Sequence, residues 1–442
     1  MKTKLLFIAL LITGSLWAQF TKSTISATDT NGANGLLEKD LNGDTLIDLI
    51  GASQSSNTVS YYLNNGDHTF TQTVIDNALT GAAYVDAYDL DGDGDLDFTA
   101  VGSSDLVWYE NDGNFVFTKH AITTLTNPTF VRAYDADNDG DGDIGVAVYG
   151  ENTISAFLND GSGSFSRINA VSISTPKIFN GGDFDGSSSG NILVSSFDGN
   201  EIAWYAFNGL YFTRGGTIAS NFQGAFGIEG GDIDNDGDDD VVGAAYNDNE
   251  IAWFENTSGD GTAFTKHSID ANFIGASYVH WLDIDGDGDK DIAASAYGNG
   301  TSGSEVAIYY NDGNQNFTKT VVDNTENGIA CFSVQDFDDN GTMDIAYASN
   351  LGNKFVLMSK DASAINQSNE KLFSLYPNPA HQNLHISADK NIEKIEIFDI
   401  TGRRILQTNT RNIDVSQLPK THYLIQVSFE DGSHFIKKLI VN

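Results

Sequence analysis

The sequence predicts an all-β chain: a seven-bladed β-propeller closed by an N-terminal strand, followed by a small antiparallel β-sandwich. Three observations carry this expectation. An acidic nonapeptide recurs seven times within 442 residues. Each copy is set among short apolar runs suited to strands. Glycine is high at 45 and proline low at 5, a balance that favours tight turns between short strands over stiff linkers.

The nonapeptides begin at Asp40, Asp89, Asp135, Asp183, Asp232, Asp283 and Asp336, at separations of 49, 46, 48, 49, 51 and 53 residues. A run such as AAYVDAY or ASYVHWL precedes each, and one such as DFTAVGS or DIAASAYG follows. An aromatic run comes third (NTVSYYLNNG, SDLVWYENDG, NEIAWYAFNG, NEIAWFENTSG, SEVAIYYNDG), and FTQTVID, FTKHAIT, FTKHSID or FTKTVVD comes fourth. Four short strands at this period mark propeller blades rather than a sandwich. The seventh repeat ends in KFVLMSKD without its FTK strand, and QFTKSTI, from Gln19 to Ile25, supplies one. Pairing the two closes the ring and removes an open sheet edge. An open array of stacked repeats would leave that N-terminal strand without a blade.

In the pattern DxDxDGxxD, oxygens at positions 1, 3, 5 and 9 can converge on one hard cation, with the carbonyl of position 7 adding another ligand. Calcium takes six to eight oxygens, and glycine at position 6 permits the sharp turn. The expected ligands are Asp40, Asn42, Asp44 and Asp48; Asp89, Asp91, Asp93 and Asp97; Asp135, Asp137, Asp139 and Asp143; Asp232, Asp234, Asp236 and Asp240; Asp283, Asp285, Asp287 and Asp291; and Asp336, Asp338, Asn340 and Asp344. The bland alternative, a solvated acidic turn, leaves packed carboxylates repelling one another. An EF-hand is excluded, because position 12 holds Gly51, Ala100, Val146, Gly243, Ala294 and Tyr347, never the bidentate Glu. The first loop has Thr45 in place of the glycine. The fourth keeps Asp183 and Asp185 but has Ser187 and Asn191 at positions 5 and 9, so it is expected to bind weakly or not at all. Its GSSSG matches a nucleophile motif by letters but lacks the strand, turn and helix that motif requires.

These repeats resemble FG-GAP/VCBS repeats, which form seven-bladed propellers like the head of integrin alpha chains. The resemblance covers roughly Gln19 to Asp361. It implies calcium in the loop joining the first two strands of a blade, about six sites, chiefly structural. It does not supply a ligand site.

The ends of the chain read differently. Residues 1–18, with Lys2 and Lys4, an apolar run from Leu5 to Trp17, and Ala18, read as a signal peptide, too short for a membrane anchor. The propeller is expected over 19–361 and a linker over 362–370. Residues 19–369 hold 12 Lys+Arg against 53 Asp+Glu, whereas 370–442 hold 9 against 8. Within 371–442, LFSLYPNPAHQNLHI, IEKIEIFDITGRRI, IDVSQLPKTHYLIQV and SHFIKKLIVN read as strands of a sandwich. The YPNPA phrase (Tyr376 to Ala380), the DITGR turn (Asp399 to Arg403) and the terminal KKLIV resemble the C-terminal sorting domain of type IX secretion substrates. That implies a Gram-negative cell, the secretion machinery as a partner, and an extracellular or surface-attached product. The bland alternative is a carbohydrate-binding or spacer sandwich.

A formal net charge of -38 argues against nucleic acid as a partner, since phosphate binding needs clustered Lys and Arg. About half of the acidic residues lie in the nonapeptides, so the charge speaks mostly of metal. The face opposite the acidic loops is where a ligand is expected, with Asn77, Lys177, Asn221, Phe222, Asn247, Asn272, Phe273 and Asn324 as candidates. Its Asn and Gly are also good turn residues. The paired aromatics Tyr61/Tyr62, Trp108/Tyr109, Trp204/Tyr205, Trp253/Phe254 and Tyr309/Tyr310 are expected in the core. His120 and His267 share a repeat position with Thr73 and Thr320, which makes poor bases of them. Leu37, Asp86, Arg132, Asn180, Glu229, His280 and Ser333, late on the innermost strands, are expected to line a central channel. Cys331 reads as a buried free thiol. The functional expectation is an extracellular binding or adhesion module for a glycan or a protein. The alternative is a polysaccharide-degrading enzyme such as a lyase, which needs a cation for the uronate carboxylate and a nearby base.

Overall fold

A computed structural model of the chain describes residues 20–137, 139–187, 190–207, 212–300, 302–360, 373–376, 380–388, 391–398, 403–429 and 434–441. The expected signal peptide and linker, residues 188–189 of the fourth loop, 377–379 of the YPNPA phrase and 399–402 of the DITGR phrase lie outside them. The chain divides into two compact units, one spanning Thr21–Ser359 and the other containing Lys360–Asn442.

The first unit is built of seven four-stranded sheets, six of them with their strands in chain order from innermost to outermost and the seventh taking its outermost strand from the N-terminus. In the first blade these are Ala33–Lys39, Asp48–Ser53, Thr58–Asn64 and Phe70–Asp76, antiparallel throughout. Every residue of the second strand is buried in all seven blades. Neighbouring sheets cover both of its faces, so it reads as a continuous apolar run such as DVVGAA rather than an alternation. The aromatic pairs of the third strand follow suit, from Tyr62 at 1% exposure to Tyr61 at 7%; Tyr310 is half-buried. Their expected place in the core is confirmed.

Hydrogen bonds lace the blades into a ring. Asn34 Nδ2 donates to Ala83 O at 2.8 Å, Ala133 N to Asp86 Oδ2 at 2.8 Å, and Thr129 Oγ1 to Lys177 O at 3.2 Å. The series continues with Asn180 Nδ2 to Ile228 O at 2.7 Å, Trp281 N to Glu229 Oε2 at 3.1 Å and Ser277 Oγ to Ile329 O at 3.4 Å. Cys331 Sγ, 3.7 Å from Leu36 O, returns to the first blade. Asp86, Asn180 and Glu229 of the expected channel column thus tie blade to blade. Cys331 is a buried free thiol whose pKa burial pushes up to about 12.

The seventh sheet consists of Ile329–Gln335, Asp344–Ser349, Lys354–Lys360 and, outermost, the N-terminal Phe20–Ser26. A repeated contact shows that this last strand occupies a regular outermost position. Asp76, ending the first blade, accepts from Tyr109 and Lys119 of the second at 2.7 and 2.6 Å. Asp270 is held the same way by Tyr309 and Lys319 of the sixth, both at 2.8 Å. At the seam Asp323 is held by Tyr347 and by Lys22 at 2.8 Å, the lysine coming from the N-terminal strand. On the other side of the seam Phe355 is fully buried against Tyr62, with ring centroids 5.4 Å apart. A Cβ on Gly51 would stand 2.7 Å from Phe355 Cζ, so glycine is what admits the ring.

The second unit packs a three-stranded sheet (Phe373–Tyr376, Asn383–Ala388, Asn412–Asp414) and a four-stranded one (Arg404–Thr408, Ile392–Phe398, His422–Phe429, His434–Ile440) around one core. Leu384, Ile386, Ile395, Ile397, Ile425 and Val427 are fully buried in it, which is the expected antiparallel sandwich.

Phe355→Ala should cost about 3–5 kcal/mol in chemical denaturation, the range for emptying a buried aromatic site. A loss below about 1 kcal/mol would show that the seam does not carry the ring's stability.

Candidate functional site

The acidic loops lie where the innermost strand turns into the second. The ninth-position aspartates Asp48, Asp97, Asp143, Asp240, Asp291 and Asp344 are the first residues of the second strands and are 0–1% exposed. In the first blade Asp48 Oδ2 accepts from Leu41 N at 3.0 Å and Oδ1 from Asn64 N at 2.7 Å, so one carboxylate joins the loop to the end of the third strand. Asp97, Asp143, Asp240 and Asp291 repeat the arrangement with Asn111, Asn159, Asn256 and Asn311. The first-position carboxylate folds the loop, as where Asp89 accepts from Gly92 N at 2.8 Å and Gly94 N at 3.0 Å. Position 5 accepts from position 7, as Asp93 does from Asp95 N at 2.9 Å.

Five clusters of carboxylates that could hold a metal ion result: Asp89, Asp91 and Asp97; Asp135, Asp137 and Asp143; Asp232, Asp234 and Asp240; Asp283, Asp285 and Asp291; and Asp336, Asp338 and Asp344. Within each, one ligand atom per residue lies within 4.8 Å of the others. These are positions 1, 3 and 9; position 5 stays outside the three. In the first loop Asn42 Nδ2 instead donates to Asp44 Oδ2 at 3.0 Å. In the fourth, Asn191 Oδ1 takes over the structural bond, accepting from Phe184 N at 2.8 Å, without a carboxylate's charge.

The donor set fits a hard cation. All donors are oxygens, and several carry unrelieved charge. Burial, then the aspartates at positions 3 and 5, pushes Asp97 and Asp240 up to about 7 and Asp291 to about 6. Asp48, Asp143, Asp91, Asp137, Asp234 and Asp338 are also raised, each chiefly by burial. In the third loop Asp135 Oδ1 and Asp141 Oδ1 are buried with no hydrogen-bond partner.

At the other end of the same innermost strands lies a cavity of about 550 Å³. The residue six before each acidic loop lines it, one per blade: Asn34, Ala83, Thr129, Lys177, Phe226, Ser277 and Ala330. A second column, the residue after each second strand, adds Gln54, Tyr149, Phe197, Tyr246 and Tyr297. The last four form an arc of half-buried rings over blades three to six. Phe197 and Tyr246 are 6.0 Å apart, and Tyr246 and Tyr297 6.5 Å, centroid to centroid. Hydroxyls anchor the arc to the next blade, Tyr149 to Asp198 Oδ2 at 2.5 Å and Tyr297 to Asn350 Oδ1 at 3.0 Å. The Lys177 ammonium lies 4.6 Å over the Phe226 ring.

Of the expected ligand-face residues, the cavity gathers Lys177. Phe222 and Phe273 correct the expectation: at 1% and 0% exposure they pack edge-on against Phe254 and Tyr309. A blade crossing must plug the gap between sheets, and the aromatic takes that place. Asn77, Asn221, Asn247, Asn272 and Asn324 are exposed but outside the lining. The aromatic arc escapes a search of turns one at a time; comparing repeat columns would have exposed it, since aromatics otherwise recur inside strands. His120 and His267 stack on Trp108 and Trp253 at 4.6 and 4.3 Å and pair with Glu110 and Glu255 at 2.7 and 2.8 Å, a structural use.

Comparison with known proteins agrees with this anatomy. Residues 374–442 match the secretion system C-terminal sorting domain. FG-GAP-like repeats match at 40–100, 89–146, 232–294 and 283–347, together half of the chain and leaving out the fourth loop. No curated protein matches. Among solved structures, the extracellular domain of a hybrid two component system from B. thetaiotaomicron is similar at 14% identity and a TM-score of 0.49. The match covers 96% of this chain and 58% of that one. The sorting domain indicates export by type IX secretion to the cell surface or the extracellular space, and among the described residues no helix is long and apolar enough to cross a membrane. The chain belongs to the FG-GAP-like repeat proteins and ends in a secretion sorting domain.

Proposed function

We propose that this protein is an extracellular binding module: a propeller over 19–361, stiffened by calcium in its acidic loops, that takes a glycan or protein ligand at the channel-mouth cavity, with residues 371–442 addressing it to the secretion machinery. The observation that carries the reading is the convergence of all seven blades on one cavity with half-exposed aromatic rings. Such rings give large, rigid contact area at low entropic cost. The ions would be held by the carboxylates at positions 1, 3 and 9. Calcium bound there neutralises the clustered carboxylates and stiffens the loops. A lyase reading is less well supported: the cavity lining offers one cation, Lys177, and no Asp, Glu or His as base.

Ligand screening tests this directly. The secreted protein should bind a member of a glycan and matrix-protein array saturably, and Tyr246→Ala should weaken that binding at least tenfold while leaving the melting temperature within a few degrees. Turnover of a bound polysaccharide, seen as new reducing ends or unsaturated sugars, would replace the binding reading with the enzymatic one.

Calcium has its own signature. Each site kept at 100 times its dissociation constant adds about 2.7 kcal/mol, so five or six should raise Tm by roughly 10 °C or more over protein in EDTA. In EDTA, Asp97, Asp240 and Asp291 hold protons to higher pH folded than the ~3.9 of an unfolded aspartate. The folded state thus binds more protons between about pH 4 and 7, and stability present at the acid end is lost as pH rises. Tm in EDTA should fall over that window and stop falling in calcium; identical profiles would show that the loops hold no functional metal.

Export is tested by truncation. Removing residues 371–442 should leave the protein inside the cell envelope, and its normal appearance outside would overturn the sorting role.

A further inference from the structure

The cavity's charge stands apart from the rest of the molecule. The chain carries 61 acidic residues against 23 Lys and Arg, yet the lining contains no Asp or Glu and one lysine. Five other lysines of the propeller sit on carboxylates: Lys22 on Asp323, Lys119 on Asp76, Lys266 on Glu250, Lys319 on Asp270 and Glu305, Lys354 on Glu326; Lys39 and Lys290 make no such pair but are exposed to water, whereas Lys177 is half-buried. Among the described residues Lys177 has no ion pair, and its ammonium rests over the face of Phe226 at 4.6 Å. Desolvation without a compensating carboxylate pushes its pKa down to about 8, so at neutral pH it is still mainly a cation. A half-buried cation without a counter-ion is a standing cost to the fold, offset in part by the ring beneath it. In a protein so rich in carboxylates, the partner missing from the lysine is one that a ligand would bring.

The remaining lining fixes what carries that carboxylate. Phe197, Tyr246 and Tyr297 share the lining with Lys177, as an aromatic series that continues from Phe226 at centroid separations of 6.0–6.5 Å, and Asn34, Gln54 and Asn127 supply amide donors and acceptors. Stacking surface, amides and one cation together suit a pyranose: its apolar C–H face lies on a ring, its hydroxyls meet the amides and its carboxylate meets the ammonium. An acidic peptide side chain would use the ammonium and leave the arc idle. The volume of about 550 Å³ falls within the ~300–1,000 Å³ of small-ligand sites. Resting on the reading of this cavity as the binding site, we infer that it recognises a carboxylate-bearing sugar unit, a uronate, within a glycan, with Lys177 as the residue that selects the acid.

Matched probes decide it. Oligomers of galacturonate, mannuronate and glucuronate, each beside its carboxyl-reduced neutral counterpart and beside an oligoglutamate peptide, are titrated into the full secreted chain in calcium buffer. At least one uronate oligomer should bind ten or more times tighter than its reduced form. Lys177→Gln should abolish that preference, Lys177→Arg should keep most of it, and Tyr246→Ala should weaken both members of the pair. Lys177→Gln should also melt at the same temperature as the parent or higher, because it removes an unpaired charge, so lost binding would not be lost folding. Preference unchanged in Lys177→Gln would assign the acid to the calcium loops and overturn the inference. Equal binding of acidic and reduced oligomers would overturn it while leaving the cavity as a glycan site. Oligoglutamate alone binding, or only a protein of the array, would overturn it in favour of a protein ligand.

Discussion

One buried carboxylate in each of six blades governs the architecture of the loop face. The ninth-position aspartate starts the second strand, where nearly every neighbour is apolar, and spends both oxygens on backbone N–H groups: one from its own loop, one from an asparagine ending the third strand. That asparagine passes the connection onward. Asn64 Nδ2 donates to Phe337 O, Asn159 Nδ2 to Leu90 O and Asn256 Nδ2 to Phe184 O, each a loop carbonyl of the preceding blade. Its Oδ1 meanwhile accepts from the next hairpin, as from Gly66 N and Gly113 N. Loop, strand end, hairpin and adjacent blade are therefore fixed by a single Asp–Asn pair. Hydrogen bonds to a charged acceptor are the stronger kind, and an unpaired member at such depth is costly.

The same pair explains why acidity accumulates there. A carboxylate is the acceptor that serves two amides at once, but its charge then lies beside those of positions 1 and 3. Burial and repulsion together lift the pKa values of Asp97, Asp240 and Asp291 by raising the cost of ionisation. Fold and metal chemistry are thus one problem: the bond that organises the blade creates the site a cation would relieve. Asn191 shows the converse. An amide at position 9 keeps the bond to Phe184 N, and the loop loses its charge cluster without losing its blade.

Much of this was legible in the sequence, and the limits are physical. Seven acidic loops, four runs per repeat and a displaced FTK strand were enough for the ring, because Lys22 occupies the same contact as Lys119 and Lys319. The asparagine of the third strand was visible in NNG, ENDG and NDG but reads as a turn residue, since its role depends on a neighbouring blade some 70 or more residues away in sequence. Phe222 and Phe273 misled for the reason that Tyr149 and Tyr246 stayed hidden. An aromatic in a loop gives no local sign of whether it plugs a gap between sheets or faces a channel; only the angle between successive blades decides.

The two ends of the innermost strands obey opposite rules, and this bears on where function resides. At the loop end each blade repeats the same task, so the columns are nearly uniform: Asp at positions 1 and 9 with one exception. At the mouth the corresponding column reads Asn34, Ala83, Thr129, Lys177, Phe226, Ser277 and Ala330, different in size and charge almost from blade to blade. A ring of identical residues presents the same surface seven times and cannot orient an asymmetric ligand. A ring in which one blade supplies the cation, four consecutive blades the aromatic rings and the first the amides of Asn34 and Gln54 has a polarity across the channel. Holding Tyr246, Tyr297 and Lys177 half in water gives up burial that the core elsewhere secures. Stability alone would favour small or fully buried residues at these positions, as Ala83 and Ala330 show in their own blades. The asymmetry of the mouth, set against the uniformity of the loops, is what supports the proposal of recognition there, with the acidic face holding the ring in shape.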